Sequence, residues 1–307
     1  MKTTTKKTRR KETAFTIIEL LTVMSIIVIL LGLLVPAMNK AKIYAKTVNQ
    51  KNQFHSIDVA LELFKIDYED YPPSDQLDDA AIPAAYCGAM KLAEAVVGQD
   101  LMGFHPDSAF RYDLMDTTGT INLYAAPEYP AFTPDQQNIK SRKGPYLQVD
   151  RANAYKLENL WGMQPGAIGN FNNKFRFVLC DEYARATNRG AEGPSRIGMP
   201  VLYYKANISG FAHDSANPLN PQNIYDYTDN IDLINLKLPW DSTKLHWLDP
   251  SCSDSGVSGD TLFYNITKNP NIKILSGRPY RPDSYILISA GYDGVYGTED
   301  DIFNFNK

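Results

Sequence analysis

With 307 residues, 44% of them apolar and 11% aromatic, the chain can fill a substantial core, which excludes wholesale disorder. Its net charge of −4 hides an asymmetry: residues 1–14 hold six cations and one anion, so the remainder carries 25 cations (31 less 6) against 34 anions (35 less 1). A basic head on an acidic body excludes an ordinary nucleic-acid binder, whose positive charge belongs on the folded face, and fits a topogenic signal held on the cytoplasmic side.

The first predicted element is an apolar helix. From Phe15 to Val35 the sequence reads FTIIELLTVMSIIVILLGLLV, 21 residues whose only charge is Glu19. At 1.5 Å per residue it spans about 31 Å, close to the hydrocarbon thickness of a bilayer. A secretory signal places a small-residue cleavage site after its apolar core; here the small residue Ala14 comes before it. Cleavage at that point removes the charges and keeps the helix.

The segment KETAFTIIELL (residues 11–21) resembles the prepilin cleavage motif of type IV pilin-like subunits. The resemblance implies cutting between Ala14 and Phe15 by a prepilin peptidase and N-methylation of Phe15. It also assigns assembly roles to Glu19 and Pro36, with Glu19 of one subunit neutralising the new amine of another. In low dielectric such a pair is attractive only in the correct register. The chain departs from the family in having Ala14 where glycine usually precedes the cut.

The helix is expected to continue to Asp67, about 80 Å in all. Ala37, Ala41, Ile43, Ala45 and Val48 lead into Phe54, Ile57, Leu61 and Phe64 at three- and four-residue spacing, and Pro72-Pro73 stops the helix. Further on, Met90, Ala93, Val97 and Leu101 predict one apolar helical face. Residues 174–180, 200–206 and 284–289 read as strands, and 211–260 as a loop-rich excursion. Asp181, at the end of the first of these strands, is expected to be solvated or paired with a cation such as Arg185. Cys87, Cys180 and Cys252 form no CxxC pair; one disulfide or three buried thiols both fit.

The C-terminal stretch SAGYDGVYGTEDDIFNFNK crowds four carboxylates into nine positions among glycines. Oxygen-rich clusters on flexible loops suit calcium, although this spacing is not an EF-hand. The pattern also resembles the calcium loop of the major pseudopilin of type II secretion. That resemblance implies side-chain ligands from Asp293, Asp300 and Asp301 and backbone carbonyls from Ala290 and Thr298.

No G-x-S-x-G elbow, phosphate-binding glycine loop, H-E-x-x-H or dinucleotide fingerprint occurs, and His55, His105, His213 and His246 are scattered, so no enzyme activity is expected. The whole reads as α+β: a pilin-like fold whose long N-terminal helix, transmembrane in its first half, packs on an antiparallel-sheet head with a large loop-rich insertion. Its parts are a cleaved leader (1–14), a transmembrane half-helix (15–35), an amphipathic half-helix (36–71) and a head (72–307). The head carries the insertion (about 75–280) and the calcium-like loop (289–304). The resemblance implies a pseudopilin of a type II secretion system, polymerising into a periplasmic fibre that drives protein export. A surface type IV pilin for adhesion or motility and a membrane-anchored, calcium-dependent glycan-binding protein are the alternatives. Implied partners are the prepilin peptidase, copies of the chain, other pseudopilins and an inner-membrane assembly platform, with no nucleic acid. The implied location is the bacterial inner membrane, crossed once with the N-terminus cytoplasmic and the head periplasmic, and then an extracytoplasmic fibre.

Overall fold

The computed structural model describes residues 16–75, 85–127, 130–162, 168–190, 195–272 and 277–306. Two compact units are distinguished, residues 1–45 and residues 46–307, and one helix, α1 (Ile17–Tyr68), passes through both.

In the first unit α1 opens on a capping box. Thr16 donates its N–H and its hydroxyl to Glu19 Oε2 (both 2.9 Å), and Glu19 N–H returns a bond to Thr16 Oγ1 (3.2 Å). This reciprocal pair satisfies backbone donors that a helix N-terminus leaves open. The hydroxyls of Thr22 and Ser25 fold back onto the carbonyls of Ile18 and Leu21 (3.0 and 2.8 Å), so these polar groups are satisfied within the helix. The helix continues through Pro36, although proline removes one donor from its ladder. Its large apolar residues from Ile17 to Val35 are all exposed, and the helix is long and apolar enough to cross a membrane.

In the second unit Gln50, Gln53, Phe54, Ile57, Ala60, Leu61 and Phe64 of α1 are buried. The expected apolar stripe therefore divides: its Phe54–Phe64 part enters the core, whereas Ala37, Ala41, Ala45 and Val48 stay exposed. Each fully buried large side chain contributes about 1.5–3 kcal/mol. The helix ends before Glu69, whose φ of 66° is left-handed, and Pro72-Pro73 follow. The side chain of α1 Asp58 accepts from Tyr285 Oη (2.6 Å) and Asn304 Nδ2 (3.3 Å) and faces Arg281 Nη1 (3.6 Å), which ties α1 to the C-terminal region.

Among the described residues the strands form three small antiparallel sheets. β1 (Ala154–Lys156) pairs with β2 (Phe177–Leu179), and β3 (Ala186–Thr187) with β4 (Arg196–Ile197). The main sheet has the order β5-β6-β7, from Leu202–Lys205, Tyr285–Ser289 and Ile302–Phe303, with Tyr203 opposite Leu287 and Ile288 opposite Phe303. β6 is central and buried at every position, which explains its continuous apolar run.

α2 (Gly88–Val97) packs on β2 and β5 and is buried at every position, its polar residues Lys91 and Glu94 included. It stops at Gly98 (φ 79°), and Leu101 lies beyond it in a left-handed conformation (φ 64°), outside the predicted helical face. Since α2 and β5 belong to the block read as an insertion, that block supplies a large part of the core. Between them, 211–260 contains a turn of 3-10 helix (Tyr227–Asn230) and a short α-helix (Ile231–Asn235), and a further α-helix (Gly259–Thr267) begins at its end. The cysteines are three buried free thiols.

Candidate functional site

Two places carry the predicted chemistry. At the N-terminus, Ala14 and Phe15 lie outside the described residues, and Glu19 and Pro36 are both in α1. Glu19 is an exposed capping residue whose carboxylate is bonded to Thr16. The sequence contains the signal for that role, a threonine three positions before a glutamate.

At the C-terminus β6 runs out at Ser289 into a loop with three left-handed glycines, Gly291, Gly294 and Gly297. A Cβ on Gly291 would stand 2.3 Å from the Asp300 carbonyl oxygen, so the loop folds back on itself only with glycine there. The loop brings Asp293 and Asp300 together: Asp293 N–H donates to Asp300 Oδ2 (2.9 Å), and Thr298 Oγ1 donates to Asp300 Oδ1 (2.6 Å). Asp293 Oδ1 accepts from Val295 N–H (2.7 Å), while Asp301 Oδ2 turns to Gly297 N–H (2.7 Å). The Ala290 carbonyl accepts from Gly294 N–H (3.1 Å), and the Thr298 carbonyl takes a longer bond from Asp301 N–H (3.4 Å).

Burial, with the Asp300 charge adding to it, raises the Asp293 carboxyl above its ordinary value. Two carboxylates that repel across a partly buried loop, with carbonyls nearby, fit a hard oxygen-seeking cation. Among the described residues no three His, Cys, Asp or Glu side chains gather as a metal-ligating group, so carbonyls would have to supply the rest of such a shell. Asp301 also caps the Gly297 amide through its Oδ2.

The surroundings of this loop come from parts of the chain that sequence reading left unassigned. Trp240 packs on Gly294, where a Cβ would come within 2.5 Å of its ring. Arg185 lies over the half-exposed rings of both Trp240 (5.8 Å) and Tyr292 (5.5 Å), and so does not pair with Asp181 as expected. His246 is fully buried; its Nδ1 accepts from Tyr296 N–H (3.1 Å), and burial lowers it to about 3, so the ring is neutral. The Tyr296 hydroxyl reaches the Pro200 carbonyl (2.5 Å).

Asp181 is the larger departure from expectation. It is buried, and its carboxylate accepts from Tyr183 N–H (3.1 Å), Met199 N–H (3.2 Å) and Ser289 Oγ (3.0 Å). Burial pushes its carboxyl up to about 7. Gly198 is what allows this approach, because a Cβ there would sit 1.9 Å from the Asp181 carbonyl oxygen. An isolated Asp after a strand gives no hint that residues 108 positions away will enclose it.

Elsewhere, a cleft of about 410 Å³ is lined by Asp70, Lys205, Asn207, Asp226 and Asp229 among others, with no aromatic ring in its walls. Tyr124 and Tyr225 are fully buried core residues, out of reach of a glycan. His105 and His213 are buried and His55 exposed; burial pushes His213 down to about 4. No family model, curated protein or solved structure matches this chain.

Proposed function

We propose that the chain is a pilin-like structural subunit, a pseudopilin of a type II secretion system that polymerises into a periplasmic fibre driving protein export. The observation that carries the reading is the two-part character of α1. From Ile17 to Val35 its large apolar side chains are exposed, whereas Phe54, Ile57, Leu61 and Phe64 are built into the head's core. A helix of this kind needs an apolar environment from outside, which a bilayer or the helices of other subunits supply. Prepilin peptidase, further subunits and an inner-membrane assembly platform are the partners this reading requires. Calcium at the C-terminal loop, held by Asp293, Asp300, Asp301 and the carbonyls of Ala290 and Thr298, would neutralise the carboxylates and tie the loop to β6.

The test is the N-terminal sequence and intact mass of the protein recovered from the membranes of its own host. A chain that begins with methylated Phe15 is the expected result; an intact leader sinks the reading. A second prediction separates the two roles of Glu19. Glu19→Gln keeps an acceptor for the Thr16 amide, so the helix start should be preserved. Fibre formation should nevertheless be lost with cleavage intact, and normal fibres from this variant would remove the charge of Glu19 from assembly.

A further inference from the structure

The C-terminal loop is gripped from outside by one stretch of the 211–260 excursion. Over a short run of sequence, Trp240 packs on Gly294, and the Trp247 side chain and Leu248 amide crowd Gly297, where a Cβ would meet them at 2.9 and 3.1 Å. At the centre of this stretch His246 Nδ1 accepts from Tyr296 N–H, its ring centroid lies 4.6 Å from that of Tyr296, and Leu248 N–H donates to the Tyr296 carbonyl (3.2 Å). Both backbone polar groups of Tyr296 are thus bonded to the same stretch. From Tyr296 the hold passes to the carboxylates: Val295 N–H donates to Asp293, and Thr298 Oγ1 bridges the Val295 carbonyl (3.2 Å) and Asp300.

We propose that His246 is the positioning residue of the C-terminal loop, fixing Tyr296 so that Asp293 and Asp300 face one another whether or not a cation is present. The inference builds on the cation reading of the loop but does not require it. A backbone amide buried at this depth needs an acceptor, and among the described contacts the imidazole nitrogen is the one that supplies it. The excursion then does for this loop what a bound ion does for a loop that lacks such a partner.

Hydrogen exchange on the full chain in detergent, with chelator in excess, tests this by comparing a peptide over residues 290–301 with one over 200–206. The wild-type loop is expected to be protected without calcium. His246→Ala should raise its exchange about tenfold and leave the 200–206 peptide unchanged. His246→Asn, whose side-chain oxygen replaces Nδ1 as the acceptor, should restore most of the protection. Should His246→Ala fail to fold, Trp240→Ala takes its place and should raise exchange of the same peptide about threefold or more. Protection in wild type that appears only on adding calcium overturns the proposal and favours the ion as the organiser. Unchanged loop exchange in the alanine variant used, or an asparagine variant no better protected than alanine, overturns it too. Calcium that changes nothing in any variant ends the cation reading while leaving the role of His246 intact.

Discussion

Asn230→Ala is expected to destabilise the head by about 2–6 kcal/mol, because it strips partners from two buried backbone groups at about 1–3 kcal/mol each. Asn230 is fully buried; its Oδ1 accepts from Ala89 N–H (2.9 Å) and its Nδ2 donates to the Tyr203 carbonyl (2.7 Å). Ala89 lies in the first turn of α2, where a helix has no internal partner for its N–H groups. Cys87, the residue before the helix, makes no side-chain cap, so Asn230 caps α2 from a distant part of the chain. The junction is also tight: a Cβ on Gly88 would stand 2.2 Å from the Tyr203 oxygen, leaving little room for water to replace the lost amide. Asn230→Asp should not rescue, since a carboxylate cannot donate to Tyr203. With total stabilities of domains at about 5–15 kcal/mol, the loss should be plain in a urea midpoint. A shift below about 1 kcal/mol would mean that neither backbone group depends on Asn230.

The second large effect is expected at Asp181 and depends on pH. Its folded carboxyl lies near 7 against an ordinary value of 3.8, so the folded head holds a proton that the unfolded chain releases. The contribution of Asp181 to stability therefore falls as pH rises from about 4 to about 7, by about 1.4 kcal/mol per unit and about 4 kcal/mol in total, and then levels off. Asp181→Asn removes this penalty and keeps the geometry: its oxygen accepts the Tyr183 and Met199 amides, and its NH2 donates to Ser289. The variant should match wild type at pH 4 and exceed it by up to about 4 kcal/mol above pH 7. Urea midpoints of both chains across that range decide it. A difference that does not grow with pH would show that Asp181 titrates normally. His246 and His213 have the opposite sign over an overlapping range, since their lowered values make the head lose stability as pH falls below about 6.5, so the difference between Asp181→Asn and wild type is what isolates Asp181.

Legibility in the sequence followed locality. α1 was readable because its apolar run and its stop at Pro72-Pro73 are contiguous, and β5 and β6 because β-branched and aromatic residues cluster within single short runs. What did not show was which part of a stripe would be covered: Ala45 and Val48 continue the spacing of Phe54 and Ile57 but remain exposed. In α2 the periodicity of Met90, Ala93 and Val97 was readable, but not the stop at Gly98 that leaves Leu101 outside the helix, nor the burial of Lys91 and Glu94. The candidate site divided in the same way. Asp293 and Asp300 stood out as a local cluster, whereas His246, Trp240 and Asp181 act on residues some 50 to 108 positions away. Glu19 was visible as a charge, and its bond to Thr16 was also open to a local rule.

The bond from Tyr285 to Asp58 joins positions 227 residues apart, and Tyr285 opens the central strand of the main sheet. A chain synthesised from its N-terminus therefore presents Phe54, Ile57, Leu61 and Phe64 long before the strand that completes their setting exists. Closing contacts of such sequence separation is slow, and the waiting intermediate shows an apolar helical face. Folding of the head is thus tied to the completion of its own chain. A chain cut short before Tyr285 would yield an open, aggregation-prone form and no smaller domain.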